Sequence, residues 1–156
     1  MEFACAAPLL SWGARMAGLS DSLESRMREA LLISVVEDDW FFRDSMRSLL
    51  KSLGYTVEAF SSATDFLASR HLIETACLIA DVHMPAMTGV ELHRHLIDKG
   101  YAIPTILVTA YPNDVDRAQV LSDGVLCYLR KPVDEKHLIR CLRTALSSAE
   151  IPNEDP

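Results

Sequence analysis

The sequence predicts an α/β protein, a doubly wound parallel sheet with helices on both faces. Two observations carry that expectation. From Leu31 onward five short apolar runs alternate with five longer amphipathic ones, the pattern of parallel strands joined by helical crossovers. The chain, at 156 residues, is also the right size for one domain with a proper core. Right-handed crossovers leave few topologies for such a sheet.

The elements follow in order. "LLISVV" (31–36) is a β-branched run that ends in acids, and reads as the first strand. "FFRDSMRSLLKSLG" places Phe42, Met46, Leu49, Leu50 and Leu53 at helical spacing, with Gly54 as the terminator. "YTVEAF" (55–60) alternates, as a strand at a sheet edge does. "SATDFLASRHLI" is a short helix capped by Ser61 or Ser62. "CLIAD" (77–81) and "IPTILVT" (103–109) are buried strands, separated by the helix "GVELHRHLIDKG" (89–100). "DVDRAQVLSDG" is a helix opened by Asn113 or Asp114 and closed by Gly124. "VLCYLR" is the last strand, and "DEKHLIRCLRTALSSA", opened by Asp134, the last helix. Three segments result: an extension over 1–30, loosely helical or disordered, a domain over 31–149, and a polar tail over 150–156.

Composition narrows the function. A net charge of −7 argues against binding nucleic acid, since such proteins carry a basic face. No apolar run has membrane-spanning length, and the first residues lack the basic start of a secretory signal. A cytoplasmic protein is expected. Cys5, Cys77, Cys127 and Cys141 are widely spaced with no C-x-x-C, so the expectation is reduced thiols, Cys77 and Cys127 serving as small hydrophobes in strands.

The chemistry gathers at the strand ends. In a doubly wound sheet, ligands bind outside the carboxyl ends of the strands. There the first strand ends in Glu37-Asp38-Asp39, the third in Asp81, the fourth in Thr109 and the fifth in Lys131-Pro132. Each alone has a structural reading: a helix cap, a turn, an ordinary strand end. All of them on one edge are hard to explain so. Clustered carboxylates repel unless a cation neutralises them. A few oxygen ligands, with room for water and phosphate, suit Mg2+. A lysine and a hydroxyl beside them suit phosphoryl transfer, with a carboxylate as the acceptor.

The motifs "VVEDD", "LIADVHMPAMTGVEL", "TILVTAY" and "YLRKPVDEKHLI", from about Leu31 to Ala149, resemble the receiver domain of bacterial two-component response regulators. The resemblance implies a flavodoxin-like sheet in the order 2-1-3-4-5. It implies Asp81 as phosphoacceptor, taking a phosphoryl group from a histidine kinase or a histidine phosphotransfer protein. Asp38 would ligate Mg2+ directly, Glu37 through water or as the second acid, and the backbone carbonyl of His83 would add an oxygen. Thr109 would bind the phosphoryl group, and Lys131 would pair with it across a cis Lys131-Pro132 bond. Tyr128 matches an aromatic switch position, which makes the fourth helix, fifth strand and fifth helix the signalling face. This chain has Glu37 where an Asp is usual, and bulky His83 and Tyr111 beside the phosphoryl group, so slow loss of phosphate is expected. "WFF" (40–42) is unusually apolar; Trp40 or Phe41 would be exposed beside the site and Phe42 packed on the core.

On this reading the chain is a receiver with no output domain, a switch rather than an enzyme with a separate substrate, and it signals to a downstream protein target or passes phosphate on. Rival readings are a phosphorylation-independent adaptor, a fragment of a longer transcription factor, and a haloacid dehalogenase-type phosphatase. The last needs a second Asp where His83 stands.

Overall fold

The computed structural model describes Leu23, Arg26 and residues 31–150, with side chains to Ser147. The expectations for the remainder of the extension and for the tail lie outside the described residues. Five strands form one parallel sheet: β1 Leu32–Val36, β2 Thr56–Phe60, β3 Thr75–Asp81, β4 Thr105–Thr109 and β5 Cys127–Arg130. Their order is β2-β1-β3-β4-β5, as the resemblance implied. Five helices connect and follow them: α1 Trp40–Ser52, α2 Ala63–Leu67, α3 Gly89–Asp98, α4 Asp114–Ser122 and α5 Glu135–Glu150.

The period of two along each strand divides the core into two layers. Ile33, Val35, Cys77, Ile79, Ile106 and Val108 face α1 and α5, where they meet Met46, Leu50, Leu138 and Leu142. Val36, Leu78, Ala80 and Leu107 face the other way, against Phe66, Leu92, Leu96 and Val120 of α2, α3 and α4. Central strands buried on both faces explain the unbroken apolar runs, and each buried Leu or Ile contributes roughly 1.5–3 kcal/mol. Ser34 interrupts the run in β1 without leaving an orphan: its Oγ lies 2.8 Å from Thr75 Oγ1 of β3, which itself donates to the His71 carbonyl. Cys77 is fully buried and burial pushes its thiol up; Cys141 is driven to about 12 by burial first and by Cys127 beside it. Both are packing residues.

The caps are where local sequence wins. Asp39 caps α1, Ser62 caps α2, Thr88 caps α3 and Asn113 caps α4, each side chain accepting a backbone N–H of the first turn. Gly54, Gly100 and Gly124 take positive φ just past α1, α3 and α4, the left-handed residue that ends a helix. One boundary departs from expectation. The helix expected to run to Ile73 stops at Leu67. Beyond it the Ser69 hydroxyl accepts from the His71 N–H, and the backbone turns through Ser69→Phe66 and Leu72→Ser69 bonds. Leu72 is buried but Ile73 is 78 % exposed, so the apolar spacing there imitated a helix that side chain to backbone bonds replace.

Candidate functional site

Parallel strands with a common crossover hand bring their carboxyl ends to one edge, and backbone bonds lock that edge in register. Glu37 N–H donates to the Phe60 carbonyl, Val82 N–H to Val108 and Lys131 N–H to Thr109. The side chains expected to meet therefore start from neighbouring tips. Glu37, Asp38 and Asp81 each offer a carboxylate oxygen, and these oxygens lie within 4.8 Å of one another. Lys131 Nζ stands 2.8 Å from Glu37 Oε2 and 3.4 Å from Asp81 Oδ2. The Lys131-Pro132 peptide is cis.

Burial sorts the acids. Glu37 and Asp81 are buried, whereas Asp38 is exposed at the mouth. Burial pushes the Glu37 carboxyl up to about 7, and the charge of Asp81 adds to this; the Lys131 hydrogen bond and the Asp39 N–H pull the other way. Burial also pulls on Lys131, but the Glu37 hydrogen bond and the charges of Glu37 and Asp81 outweigh it and hold the ammonium above its ordinary range. The pocket is an ammonium flanked by two carboxylates, with a third acid open to solvent. Three hard oxygens this close fit a small divalent cation.

Thr109 is fully buried on β4, next to Val108, the register partner of Asp81. Its Oγ1 accepts from the Tyr111 N–H at 3.0 Å. His83 N–H donates to Asp81 Oδ1 at 3.3 Å, while its side chain points to solvent. The His83 and Tyr111 rings meet edge to face, centroids 5.8 Å apart, so the loops after β3 and β4 touch above the pocket. Tyr128 is not among the groups that meet there. It is half-buried against the α3–α4 layer, and its hydroxyl accepts from Asn113 N–H, the cap of α4, at 3.4 Å.

Three residues that hold the site were not singled out from sequence for that purpose. Arg43 donates from Nη1 to the Glu37 carbonyl at 2.8 Å, tying α1 to the acidic loop. Gly89 opens α3 so close to β3 that a Cβ there would collide with the Asp81 carbonyl; a glycine in a first helical turn was the available signal. Phe42 lies under Lys131, its ring centroid 4.2 Å from Nζ. Phe42 also packs on the core as expected, and Trp40 and Phe41 are 67 % and 70 % exposed.

Comparison with known proteins agrees with this geometry. Residues 33–143 match the model of the response regulator receiver domain. The chain is 35 % identical over 118 residues to the response regulator protein TmoT of Ectopseudomonas mendocina, covering 76 % of this chain and 54 % of TmoT. To TodT of Pseudomonas putida it is 31 % identical over 141 residues, covering 88 % and 62 %. It thus spans little more than half the length of these curated relatives. Among solved structures, the response regulator StyR superposes with a TM-score of 0.70 at 32 % identity, over 76 % of this chain and 60 % of StyR. FixJ-N does so with 0.68 at 27 %, over 78 % and 96 %. Among the described residues no helix is long and apolar enough to cross a membrane. With a sheet in the order 2-1-3-4-5, acids and a lysine at its carboxyl edge, and these relatives, the chain belongs to the response regulator receiver domain family of bacterial two-component systems.

Proposed function

We propose that residues 31–149 act in the cytoplasm as a switch whose Asp81 accepts a phosphoryl group from a phosphohistidine on a histidine kinase or phosphotransfer protein. One observation carries the reading: Lys131 Nζ sits between Glu37 Oε2 and Asp81 Oδ2, 2.8 and 3.4 Å away, beside the exposed Asp38. An Asp81 oxygen attacks phosphorus in line; the P–N bond of the donor breaks, and its imidazole leaves with the electron pair. Lys131 pairs with the incoming phosphoryl oxygens, and the Thr109 hydroxyl, one strand away, donates to another. Asp38, Asp81 and the His83 carbonyl would hold Mg2+, with Glu37 acting through water or as the second acid. When bound, Mg2+ supplies neutralisation of the charge that three acids and a phosphoryl group bring together. The chain catalyses its own phosphorylation and dephosphorylation and no other reaction.

The signalling surface in this reading is α4, β5 and α5, and the downstream target is a protein. Movement of Thr109 onto the phosphoryl group would draw Tyr128 inward and release the hydroxyl that now accepts from Asn113, the cap of α4. That is a two-state element biased by local charge. The relatives are longer than the matched span, so what they regulate as whole proteins bears on this chain only as a guide to its class.

Incubation with acetyl phosphate and Mg2+, followed by intact mass, tests the proposal. A phosphate-sized gain is expected, absent in Asp81→Asn and without Mg2+. A wild type that gains nothing under these conditions sinks it and leaves an adaptor that works without phosphorylation.

A further inference from the structure

We propose that Phe42 is a positioning residue for Lys131, acting through the face of its ring; the inference rests on the role given to Lys131 above. Among the described residues the ammonium meets Glu37 Oε2 at 2.8 Å, Asp81 Oδ2 at 3.4 Å and the Phe42 ring centroid at 4.2 Å, three neighbours in all. Two are acids, which fix the charge toward the pocket. The third is a wall. Phe42 and Lys131 together line, with Met46, Leu49, Pro132 and Val133, an apolar groove of about 430 Å³ to which none of the three acids contributes. A lysine stem is flexible and its head is strongly hydrated, so it swings toward water unless something holds it. Here the negative face of the ring attracts the ammonium and, with the two acids, fixes where it points.

The ring is itself held. Phe42 sits one turn N-terminal to Met46, on the face of α1 that packs against the core, and is half-buried against it. Arg43, its neighbour in sequence, anchors the same turn to the Glu37 carbonyl. The helix thus delivers two contacts to the pocket from consecutive residues, one to the acidic loop and one to the lysine. Trp40 and Phe41, by contrast, are exposed and touch each other, centroids 6.3 Å apart. Of the three rings in "WFF", only Phe42 serves the lysine.

What the ring contributes is orientation before reaction. When a phosphoryl group reaches Asp81, its oxygens arrive where Nζ already points, so little of the lysine's freedom remains to be lost at the transition state. Without the ring the ammonium exchanges between the acids and the groove, and transfer slows. Bulk alone is not enough: a leucine fills part of the wall but has no face to attract a cation.

The experiment replaces Phe42 with mono-, di- and trifluorophenylalanine, which weaken the negative face while keeping the shape. Mg2+-dependent phosphorylation by acetyl phosphate is measured alongside the chemical shift of the Lys131 ε-methylene protons in metal-free protein. The logarithm of the rate is expected to fall stepwise with fluorination, roughly tenfold in total. Phe42→Leu should lose as much together with the upfield ring-current shift of Lys131, and Phe42→Tyr should restore both. A wild type that phosphorylates, with a fluorinated series that does so equally fast, overturns the inference alone. A normal rate in Lys131→Ala overturns the role given to the lysine, and the inference with it. Thermal unfolding of each variant separates a slow rate from a damaged fold.

Discussion

At the residue scale, His83 and Tyr111 would set the accessibility of the proposed phosphoryl site. Each belongs to a loop whose backbone N–H serves the pocket, His83 to Asp81 Oδ1 and Tyr111 to Thr109 Oγ1. Their rings meet edge to face, a contact that contributes about 0.5–1.5 kcal/mol beyond the area it buries. In the proposed switch, a water that attacks the Asp81 phosphate would approach beside this pair. Slow hydrolysis is therefore expected, and His83→Asn with Tyr111→Glu should accelerate it by roughly tenfold, about 1.4 kcal/mol of barrier. Following loss of phosphate by intact mass after removal of donor is the measurement; unchanged lifetimes would exclude a shielding role. Gly89 gives a second expectation. Gly89→Ala drives a methyl into the Asp81 carbonyl, so α3 must retreat from β3. Loss of about 1–3 kcal/mol in urea unfolding is expected, with slower phosphorylation because the displaced carbonyl belongs to the proposed acceptor.

The elements differ in how firmly they are docked, and the sequence was legible to the same degree. β1, β3 and β4 are buried throughout or nearly so, and their apolar runs were plain to read. β2, at the edge, buries Val57 alone, and its alternation said as much. The caps at Ser62, Asn113 and Asp134 were readable because short polar side chains do one job before a helix. The end of α2 was not, because Leu72 and Ile73 kept helical spacing after the backbone had turned. Asp39 is informative in the same way: within one acidic run, Glu37 and Asp38 join the pocket while Asp39 caps α1 by accepting from Phe41 N–H at 3.1 Å. Asp39→Ala should cost about 1 kcal/mol of stability and leave phosphorylation close to wild type, which separates the cap from the site. At the weak end, α4 buries only Val120 of its nine residues, whereas α3 buries four. Hydrogen exchange should find α4 the least protected of the four longer helices. Protection in α4 equal to that in α3 would argue against α4 as the mobile part of the signalling face.

At the scale of the whole molecule, the site is the point where the topology, rather than any one segment, decides. Glu37 and Lys131 are 94 residues apart and come within 2.8 Å only because β1 and β5 share a sheet edge. The convergence of the strand-end acids and the lysine could be inferred from sequence once the sheet was. The ring beneath the lysine could not, because it depends on how α1 rotates over the β5–α5 loop. Stability as a whole carries a charge signature away from this edge. His93 on α3 is only 4 % exposed. Burial lowers its pKa from the ordinary 6.5, Arg94 adds to the lowering, and Asp123, which pairs with Arg94 at 3.6 Å, opposes it. The unfolded chain therefore takes up a proton at His93 at higher pH than the folded chain does. Its contribution to stability is full above about pH 6.5 and is lost as pH falls through the depressed folded value. Urea unfolding of metal-free protein at pH 8 and pH 5.5 should show a drop that His93→Gln reduces. The comparison removes every contribution that His93→Gln leaves untouched. An equal drop in the two would mean that His93 takes up its proton without unfolding the chain, and would exclude it as the group through which acid loosens α3.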